Sequence, residues 1–290
     1  MLARQFATGL GRITPMSRDL SYQGRLAELR RQLRALGSVA VAFSGGVDSA
    51  VLLHIAHEQL GEGAAAVIAD SPSLPREELA AARELARWMG VRLHQVATTE
   101  MDDSRYRANR GDRCYFCKSA LFSAMVPWAR EQGFSTLAFG EITDDLLDDR
   151  PGARAAGEFG VVAPLRRADF DKKDVRRYAR DASLPVADKP AAACLASRIP
   201  VGNRVTAAKL ARVEDAESAL HLLGLRQVRV RHLGAMARVE VGQDEMEAAR
   251  ALGESLGAAV RDAGFTTVEL YCYVAPSQRG ASPRAAEPTE

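Results

Sequence analysis

The stretch AFSGGVDSA, from Ala42 to Ala50, decides the fold of this 290-residue chain. It contains two glycines and an aspartate flanked by serines. An apolar run precedes it and an amphipathic run follows it, so a strand is expected to lead into a helix there. The free N–H groups and the dipole of a helix that begins there favour an anion. The stretch has no lysine and lacks the spacing of the loop that transfers a γ-phosphoryl group. We expect Asp48 to act through a bridging Mg²⁺, because a carboxylate would otherwise repel phosphate. The residues expected to bind phosphate are Ser44, Gly45, Gly46, Asp48 and Ser49.

Apolar runs alternate with amphipathic segments on both sides of this stretch. The predicted strands are Val39–Phe43, Ala64–Ala69, Val91–Ala97 and Thr136–Phe139. The predicted helices are Tyr22–Leu36, Ala50–Leu60, Arg76–Met89 and Ser119–Gln132. Such alternation predicts an α/β, Rossmann-like domain whose parallel sheet carries helices on both faces. Ligands on such sheets bind at the carboxyl ends of the strands.

The rest of the chain divides into a loop-rich segment and a smaller C-terminal α/β domain. From Gly140 to about Gly202 we predict mostly loop, with a helix over Lys172–Ala182. The C-terminal elements are predicted as Ala207–Leu223 (helix), Gln227–His232 and Ala237–Val241 (strands), Glu245–Ala263 (helix) and Thr266–Val274 (strand). The predicted organisation is an N-terminal extension and helix over 1–36, a nucleotide-binding domain over 37–203, a substrate and oligomerisation domain over 204–275, and a disordered tail over 276–290.

Charge and hydropathy restrict the class of protein. The chain has 39 Lys and Arg against 37 Asp and Glu, which gives a net charge of +2. This balance provides no strong field for polyanions, so we expect no nucleic-acid partner. No stretch approaches the roughly 18 apolar residues of a membrane span, and the N-terminus lacks a secretory signal, so we predict no membrane association and a cytoplasmic protein. An organellar transit peptide, a frayed end and initiation at Met16 are the alternatives for the first residues.

Three of the four cysteines are candidate metal ligands. Cys114 and Cys117 have C-x-x-C spacing, in a loop that we expect to enter a helix, and Cys194 follows far along the chain. Three thiolates can hold three irons of a cubane and leave the fourth open, whereas structural zinc would need a fourth protein ligand. A redox pair is the rival for Cys114 and Cys117, but it leaves Cys194 unexplained. Cys272 is in phase with an apolar strand face and is predicted to be a packed thiol.

Several charged residues remain as candidates. Arg229 and Arg231 alternate with valines, so both should project from one strand face, either to bind phosphate or carboxylate or as a solvated edge. Glu217 lies near the boundary of the buried face of its helix, or is a solvated charge. The acids just beyond the fourth strand would hold Mg²⁺ or cap helices. They are Glu141, Asp144, Asp145, Asp148 and Asp149.

The loop Ser44-Gly45-Gly46-Val47-Asp48-Ser49 resembles the S-G-G-x-D-S signature of the PP-loop ATP pyrophosphatases. Members of that superfamily cleave ATP between its α and β phosphates and leave the substrate adenylated. The resemblance implies that Asp70 and Ser71, at the end of the second strand, and Gly140, after the fourth, border the adenosine.

The assembled motifs resemble one family, the LarE-type ATP-dependent sulfur transferases that help build the nickel-pincer nucleotide cofactor of lactate racemase. The motifs are FSGGVDSAVL, DRCYFCK, FGEITDDLLDDRPG, KPAAACLASRIP and VRVRHLGAMARVEV. The resemblance implies that a carboxylate of a pyridinium dicarboxylate mononucleotide is adenylated and becomes a thiocarboxylate. It also implies a homo-oligomer, and it places Ser197, Glu217, Arg229 and Arg231 in the substrate site.

The cysteines divide this family into two types. In some members the cysteine at the position of Cys194 gives up its own sulfur. The added Cys114 and Cys117 resemble a three-cysteine branch, in which a [4Fe-4S] cluster carries a detachable sulfide. We therefore predict repeated sulfur transfer through a cluster, with a sulfur-donor protein as a candidate partner.

Other functions share parts of this pattern. A tRNA thiolase would combine the same loop with cysteine-held clusters, but a basic RNA-binding extension and terminal cysteine pairs are missing from the sequence. An amide-forming ligase would leave three cysteines without a role. An ATP-binding sensor with structural zinc predicts bound zinc and no release of pyrophosphate.

Overall fold

The computed structural model describes residues 21–147, 151–190 and 193–274. The predicted N-terminal extension, the choice between Met1 and Met16, the predicted tail, and Asp148 and Asp149 lie outside these ranges. The described residues fall into two compact units. Unit 1 contains the chain up to Cys194 and also Val201–Thr206, and unit 2 contains Leu195–Pro200 and the chain from Ala207 onward. The domain boundaries predicted above stay a prediction.

The helices and strands have the following bounds. Helices are α1 Tyr22–Leu36, α2 Val47–Leu60, α3 Arg76–Trp88, α4 Ser104–Ala108, α5 Arg113–Glu131, α6 Pro151–Glu158, α7 Pro164–Arg167, α8 Lys172–Asp181, α9 Ala207–Leu222, α10 Met246–Leu252 and α11 Glu254–Asp262. Strands are β1 Val39–Ala42, β2 Ala64–Asp70, β3 Leu93–Ala97, β4 Leu137–Phe139, β5 Val228–Leu233, β6 Met236–Val241 and β7 Thr267–Cys272.

Unit 1 is built on four parallel strands in the order β3-β2-β1-β4. An isolated parallel bridge between Ala138 and Val162 continues the sheet beyond β4. Successive residues of β1 enter different cores: Val39 and Val41 pack with α1 and α2, whereas Ala40 packs on the opposite side of the sheet with residues of α5 and α6. Because side chains alternate between the faces of a strand, this places helices on both faces and explains why β1 is apolar throughout. The predicted α/β fold is confirmed.

Residues of the later segment Val201–Thr206 also belong to unit 1. The Gly202 N–H donates to the Asn109 carbonyl at 2.8 Å, and the Val205 N–H donates to the Arg107 carbonyl at 2.9 Å. The Asn109 side chain donates to the Asn203 carbonyl at 3.0 Å. These bonds fasten the returning chain to the segment just before α5.

Unit 2 contains a three-stranded sheet in the order β5-β6-β7, with β5 antiparallel and β7 parallel to β6. Leu210, Val213 and Leu220 line the buried face of α9 at helical spacing. The smaller C-terminal α/β unit predicted from the pattern is therefore present. The prediction of one continuous helix over Glu245–Ala263 was wrong, because the chain leaves helical geometry at Gly253 (φ 49°) between α10 and α11.

Two further differences concern unit 1. The helix predicted from Ser119 begins at Arg113, so both cysteines of the C-x-x-C pair lie inside α5 instead of in a loop. The segment predicted as loop also contains α6 and α7. Tyr115 of α5 donates to Glu158 of α6 at 2.6 Å, and the Arg154 guanidinium lies 4.1 Å from the Tyr115 ring centre. These contacts explain how α6 is held against α5.

Candidate functional site

The Ser44–Ser49 loop joins β1 to α2 at the carboxyl edge of the parallel sheet. The two serine Oγ atoms lie 3.1 Å apart, and Ser44 Oγ accepts the Gly46 N–H at 3.3 Å. Ser49 Oγ donates to the Gly46 carbonyl at 3.0 Å. Gly45 has a φ of 71°, in the region that favours glycine. Because Gly46 caps α2 without a side chain, it cannot satisfy the N–H groups of the first turn, which can then serve an anion.

The residues expected to border adenosine lie at the same edge of the sheet. Asp70 ends β2, and its Oδ1 accepts from Arg76 at 2.6 Å. Ser71 is buried, and its carbonyl accepts from the same guanidinium at 2.6 Å. A Cβ on Gly140 would lie 2.8 Å from the Ser49 nitrogen, so only glycine fits against the first turn of α2.

Asp48 contacts a lysine that sequence reasoning missed. Lys172 Nζ lies 2.6 Å from Asp48 Oδ1 and 2.7 Å from Oδ2. The two residues are 124 positions apart, so no local pattern could have paired them. The loop therefore has a cation of its own, supplied by the first residue of α8.

The three candidate cysteines all belong to unit 1. Cys114 is exposed, whereas Cys117 and Cys194 are partly buried. Cys114 and Cys117 are three positions apart on α5 and therefore share a face of the helix. Burial raises the pKa of Cys117 to about 12, and the charges of Cys194, Glu100 and Cys114 add to the rise. Cys117 therefore lies within electrostatic range of the other two thiols.

The segment leading into α5 contains buried polar atoms with no hydrogen-bond partner. They are Thr98 Oγ1, both carboxylate oxygens of Glu100, Arg107 Nε and Asp112 Oδ1. Glu100 is only 2% exposed, and its charge also helps burial raise the pKa of Tyr106. Buried polar groups in native proteins nearly always have partners, because leaving one unpaired is costly. Among the described residues, no three His, Cys, Asp or Glu side chains are placed to hold a single metal ion.

Lys118 is a second cation that the sequence did not single out, although it follows Cys117 directly. Its Nζ lies 4.4 Å from the ring centre of Phe139, the last residue of β4. Burial lowers the pKa of Lys118, while the charges of Glu141 and Asp145 act in the opposite direction. A cation thus lies near both the cysteine helix and the edge of the sheet.

In unit 2, Glu217 is buried and paired, so its interpretation as a solvated charge was wrong. Its carboxylate accepts Arg198 Nε at 2.9 Å and Arg198 Nη2 at 3.0 Å. The same Oε1 accepts the Val230 N–H at 2.7 Å. The arginine and the glutamate are both 6% exposed. Glu217 therefore connects α9, the turn that carries Ser197, and β5.

Arg229 and Arg231 lie on one face of β5 and are both partly buried. Arg231 donates to Glu240 at 2.9 and 3.0 Å and to the Ser197 carbonyl at 2.9 Å. The Arg229 guanidinium lies 4.1 Å from the ring centre of Tyr273. Burial lowers the pKa of Arg229, and the positive charge of Arg231 contributes to the lowering. An anion beside Arg229 would relieve both effects.

The acids beyond β4 that the structure describes have protein partners. Glu141 pairs with Arg166 at 2.9 Å, and Asp145 accepts the Ile142 N–H at 3.1 Å. Asp144 accepts the backbone N–H of the first residue of α8 at 2.7 Å. Of the two roles predicted for this run, these contacts favour capping and pairing.

Cys272, predicted to be a packed thiol, is partly buried on β7. Its Sγ donates to Gln243 Oε1 at 2.8 Å. It belongs to unit 2, whereas the other three cysteines belong to unit 1.

Comparison with known proteins decides the family. A sequence profile of the asparagine synthase family matches residues 27–109, which include the Ser44–Ser49 loop. The chain is 41% identical over 225 residues to an uncharacterised protein of Synechocystis, over 78% of this chain and 84% of that protein. It is 33% identical over 245 residues to the pyridinium-3,5-bisthiocarboxylic acid mononucleotide synthase of Lactiplantibacillus plantarum, a LarE protein, over 84% of this chain and 89% of that synthase. The chain belongs to the LarE family.

A LarE-family chain is an enzyme of the ATP pyrophosphatase superfamily, and ATP use follows from the PP-loop. This LarE-family chain is also 30% identical over 162 residues to an argininosuccinate synthase of Halobacterium salinarum, over 52% of this chain and 40% of that enzyme. Within the ranges that the structure describes, no helix has both the length and the apolar character needed to cross a bilayer.

Proposed function

We propose that this LarE-family enzyme is an ATP-dependent sulfur transferase that converts a carboxylate of a pyridinium dicarboxylate mononucleotide into a thiocarboxylate. The observation that carries the proposal is that Cys114, Cys117 and Cys194 lie in the same compact unit as the nucleotide loop and the unpaired buried Glu100. A ligase that takes nitrogen from ammonia has no use for such a group of thiols.

The first half-reaction activates the carboxylate. The N–H groups and hydroxyls of the Ser44–Ser49 loop would hold the phosphates, Asp48 would bind Mg²⁺, and Asp70, Ser71 and Gly140 would border adenosine. A carboxylate oxygen of the substrate attacks the α-phosphorus, the bond to the bridging oxygen breaks, and pyrophosphate leaves. The acyl adenylate that results has AMP as a good leaving group.

Substrate recognition is assigned to unit 2. Arg229 would bind the phosphate or the free carboxylate of the mononucleotide, because an anion would offset the desolvation of its partly buried guanidinium. Arg231 and Ser197 would complete this region. Glu217 would position it by holding Arg198 and the backbone of β5.

The second half-reaction delivers sulfur. Cys114, Cys117 and Cys194 would hold a [4Fe-4S] cluster, and the unpaired buried polar atoms of the segment leading into α5 are consistent with a bound group in this region. Such a cluster, when bound, would supply sulfur at the oxidation level of sulfide. Bond formation between that sulfur and the acyl carbon would break the bond to the AMP oxygen, so that AMP leaves and the thiocarboxylate forms. Lys118 would offset the negative charge that gathers beside the thiolates.

The remaining assignments belong to the same proposal. We assign the nucleotide and cysteine functions to residues 37–203, and substrate binding and oligomerisation to residues 204–275. The enzyme would be a cytoplasmic homo-oligomer that receives sulfur from a donor protein.

Metal analysis tests the sulfur source. Protein purified without oxygen is expected to contain about four irons and matching acid-labile sulfide per chain. Cys114→Ala should lose both, whereas the matched control Cys272→Ala should keep them, because Cys272 belongs to the other compact unit. Iron-free protein that remains active would contradict the cluster and assign the sulfur to Cys194 itself.

Product analysis tests the transferase. With ATP and the pyridinium dicarboxylate mononucleotide, mass spectrometry should detect AMP, pyrophosphate and a product in which sulfur replaces one carboxylate oxygen. With the cluster intact and sulfide supplied, product should exceed one equivalent per chain. Product limited to one equivalent, with dehydroalanine at position 194, would show sacrificial transfer. Salt-sensitive binding and thiolation of tRNA would overturn the substrate assignment.

A further inference from the structure

Lys172 forms an ion pair with Asp48, the acidic residue of the nucleotide loop. Its Nζ donates to both carboxylate oxygens of Asp48, at 2.6 and 2.7 Å. Asp48 belongs to the first turn of α2, and Lys172 is the first residue of α8. The N-terminal turns of α2 and α8, which are far apart in sequence, therefore meet at the loop, and α8 contributes a positive charge.

The backbone of Lys172 is held in place by several contacts. Its N–H donates to Asp144 Oδ2 at 2.7 Å, and Asp171 caps α8 by accepting the Asp174 N–H at 2.8 Å. The Thr143 N–H donates to the Phe170 carbonyl at 2.9 Å. The start of α8 is thus fastened to the chain that follows β4, at the edge of the sheet where the loop lies.

The Lys172 and Asp48 side chains can exchange each other for other charged partners. The Lys172 side chain is 42% exposed and that of Asp48 is 30% exposed. An ion pair so open to water contributes little to stability, because solvent screens it and long side chains lose entropy on pairing. A ligand that interacts better with either partner can therefore separate them at small cost.

A nucleotide would interact better with both partners. Asp48 repels phosphate and is compatible with it only through a bridging cation, and Mg²⁺ prefers carboxylate oxygens. Once a divalent cation holds Asp48, the ammonium group of Lys172 is left next to a loop that binds phosphates. The ammonium group of lysine is a compact point charge with three hydrogen-bond donors on a long and flexible stem, suited to a polyphosphate chain.

We propose that Lys172 is a phosphate-binding residue of the nucleotide site, an inference that rests on the proposed use of ATP. It neutralises Asp48 while the site holds no nucleotide, and it binds the β and γ phosphates when Mg²⁺ takes over the Asp48 carboxylate. Only the partner of the Lys172 ammonium group changes between the two arrangements. The adenosine and the α-phosphate do not depend on it.

Binding measurements by calorimetry with Mg²⁺ test this assignment. The probes are an ATP analogue that carries a methylene group between the α and β phosphorus atoms, and AMP, which lacks the two outer phosphates. Lys172→Met is expected to weaken binding of the analogue by about tenfold or more and to change AMP binding by less than about twofold. Lys172→Arg keeps the charge and should stay close to wild type.

The matched control is Lys173→Met, which removes the same charge from the next, exposed position and should bind both probes as wild type does. Unchanged or tighter binding of the analogue by Lys172→Met, or an equal loss for AMP, would overturn the role of Lys172 alone. Wild type that binds neither probe would instead overturn the proposed nucleotide function, and the inference with it. Circular dichroism checks that each variant is folded.

Discussion

Replacing Glu217 with alanine is expected to destabilise unit 2 strongly. The carboxylate accepts two hydrogen bonds from Arg198, at 2.9 and 3.0 Å, and one from the Val230 N–H at 2.7 Å. Since both partners of the ion pair are 6% exposed, the substitution leaves a buried guanidinium without its counter-charge and a buried N–H without its acceptor. Breaking a buried pair in this way costs about 3–5 kcal/mol.

Hydrogen exchange gives the most local measurement. The amide of Val230 and its neighbours on β5 should exchange at least about a hundredfold faster in Glu217→Ala, and urea unfolding followed by circular dichroism should show the loss of stability. Asp215→Ala removes a charge from an exposed position of the same helix and should change stability by less than about 0.5 kcal/mol.

A double replacement separates pairing from packing. Glu217→Leu combined with Arg198→Met removes both charges and keeps the volume apolar, so it should recover much of the stability lost by Glu217→Ala. If Glu217→Ala and Asp215→Ala proved equally stable, the argument that this carboxylate organises β5 would be refuted.

Three further predictions follow from other contacts. With its pKa raised to about 12, the Cys117 side chain is thiolate in only about one molecule in ten thousand at pH 8. Iodoacetamide should therefore alkylate the exposed Cys114 of metal-free protein first. Equal alkylation rates of the two cysteines, measured by peptide mass spectrometry, would contradict this. Gly140→Ala forces a Cβ to within 2.8 Å of the backbone of α2, so we expect about 1–3 kcal/mol of destabilisation and weaker nucleotide binding, and an unchanged melting temperature would count against it. Burial raises the pKa of Glu245, but two backbone N–H groups and the Arg226 guanidinium outweigh it and hold the pKa below its usual range. The stability due to this carboxylate is therefore present above about pH 4.3 and is lost as the pH falls through the lower folded pKa. Glu245→Gln should accordingly lower the free energy of unfolding by about 1–3 kcal/mol at pH 7 and by much less in acid. A loss of stability that does not depend on pH would refute this reasoning.

Local patterns predicted those parts of the protein that depend on local physics. Helix α1 has the bounds Tyr22–Leu36 that its apolar spacing predicts, and its start is capped by the Ser21 hydroxyl. The central strand β1 and its neighbour β4 were recognisable because they are apolar throughout and almost completely buried. The loop before α2 was recognisable because glycine and hydroxyl side chains serve a narrow range of turns.

The start of α5 shows where local patterns fail. Asp112 precedes this helix without making a side-chain cap, so the usual signal of a helix start does not announce the turn that holds Cys114 and Cys117. The pairing of Lys172 with Asp48 and that of Arg198 with Glu217 depend on how distant segments fold together. No residue next to Lys172 or Arg198 in the sequence indicates these partners. The unpaired state of Glu100 is likewise a property of the packed protein alone.

The return of Val201–Thr206 to unit 1 affects how this enzyme can be divided. A fragment that stops at Cys194 would lose the backbone hydrogen bonds that this segment makes with Asn109 and Arg107, whereas one that continues to Thr206 would take Leu195–Pro200 away from unit 2. No single cleavage or fusion point therefore yields two intact halves. Domain exchanges between relatives should keep both units intact only when unit 1 retains Val201–Thr206 and unit 2 retains Leu195–Pro200.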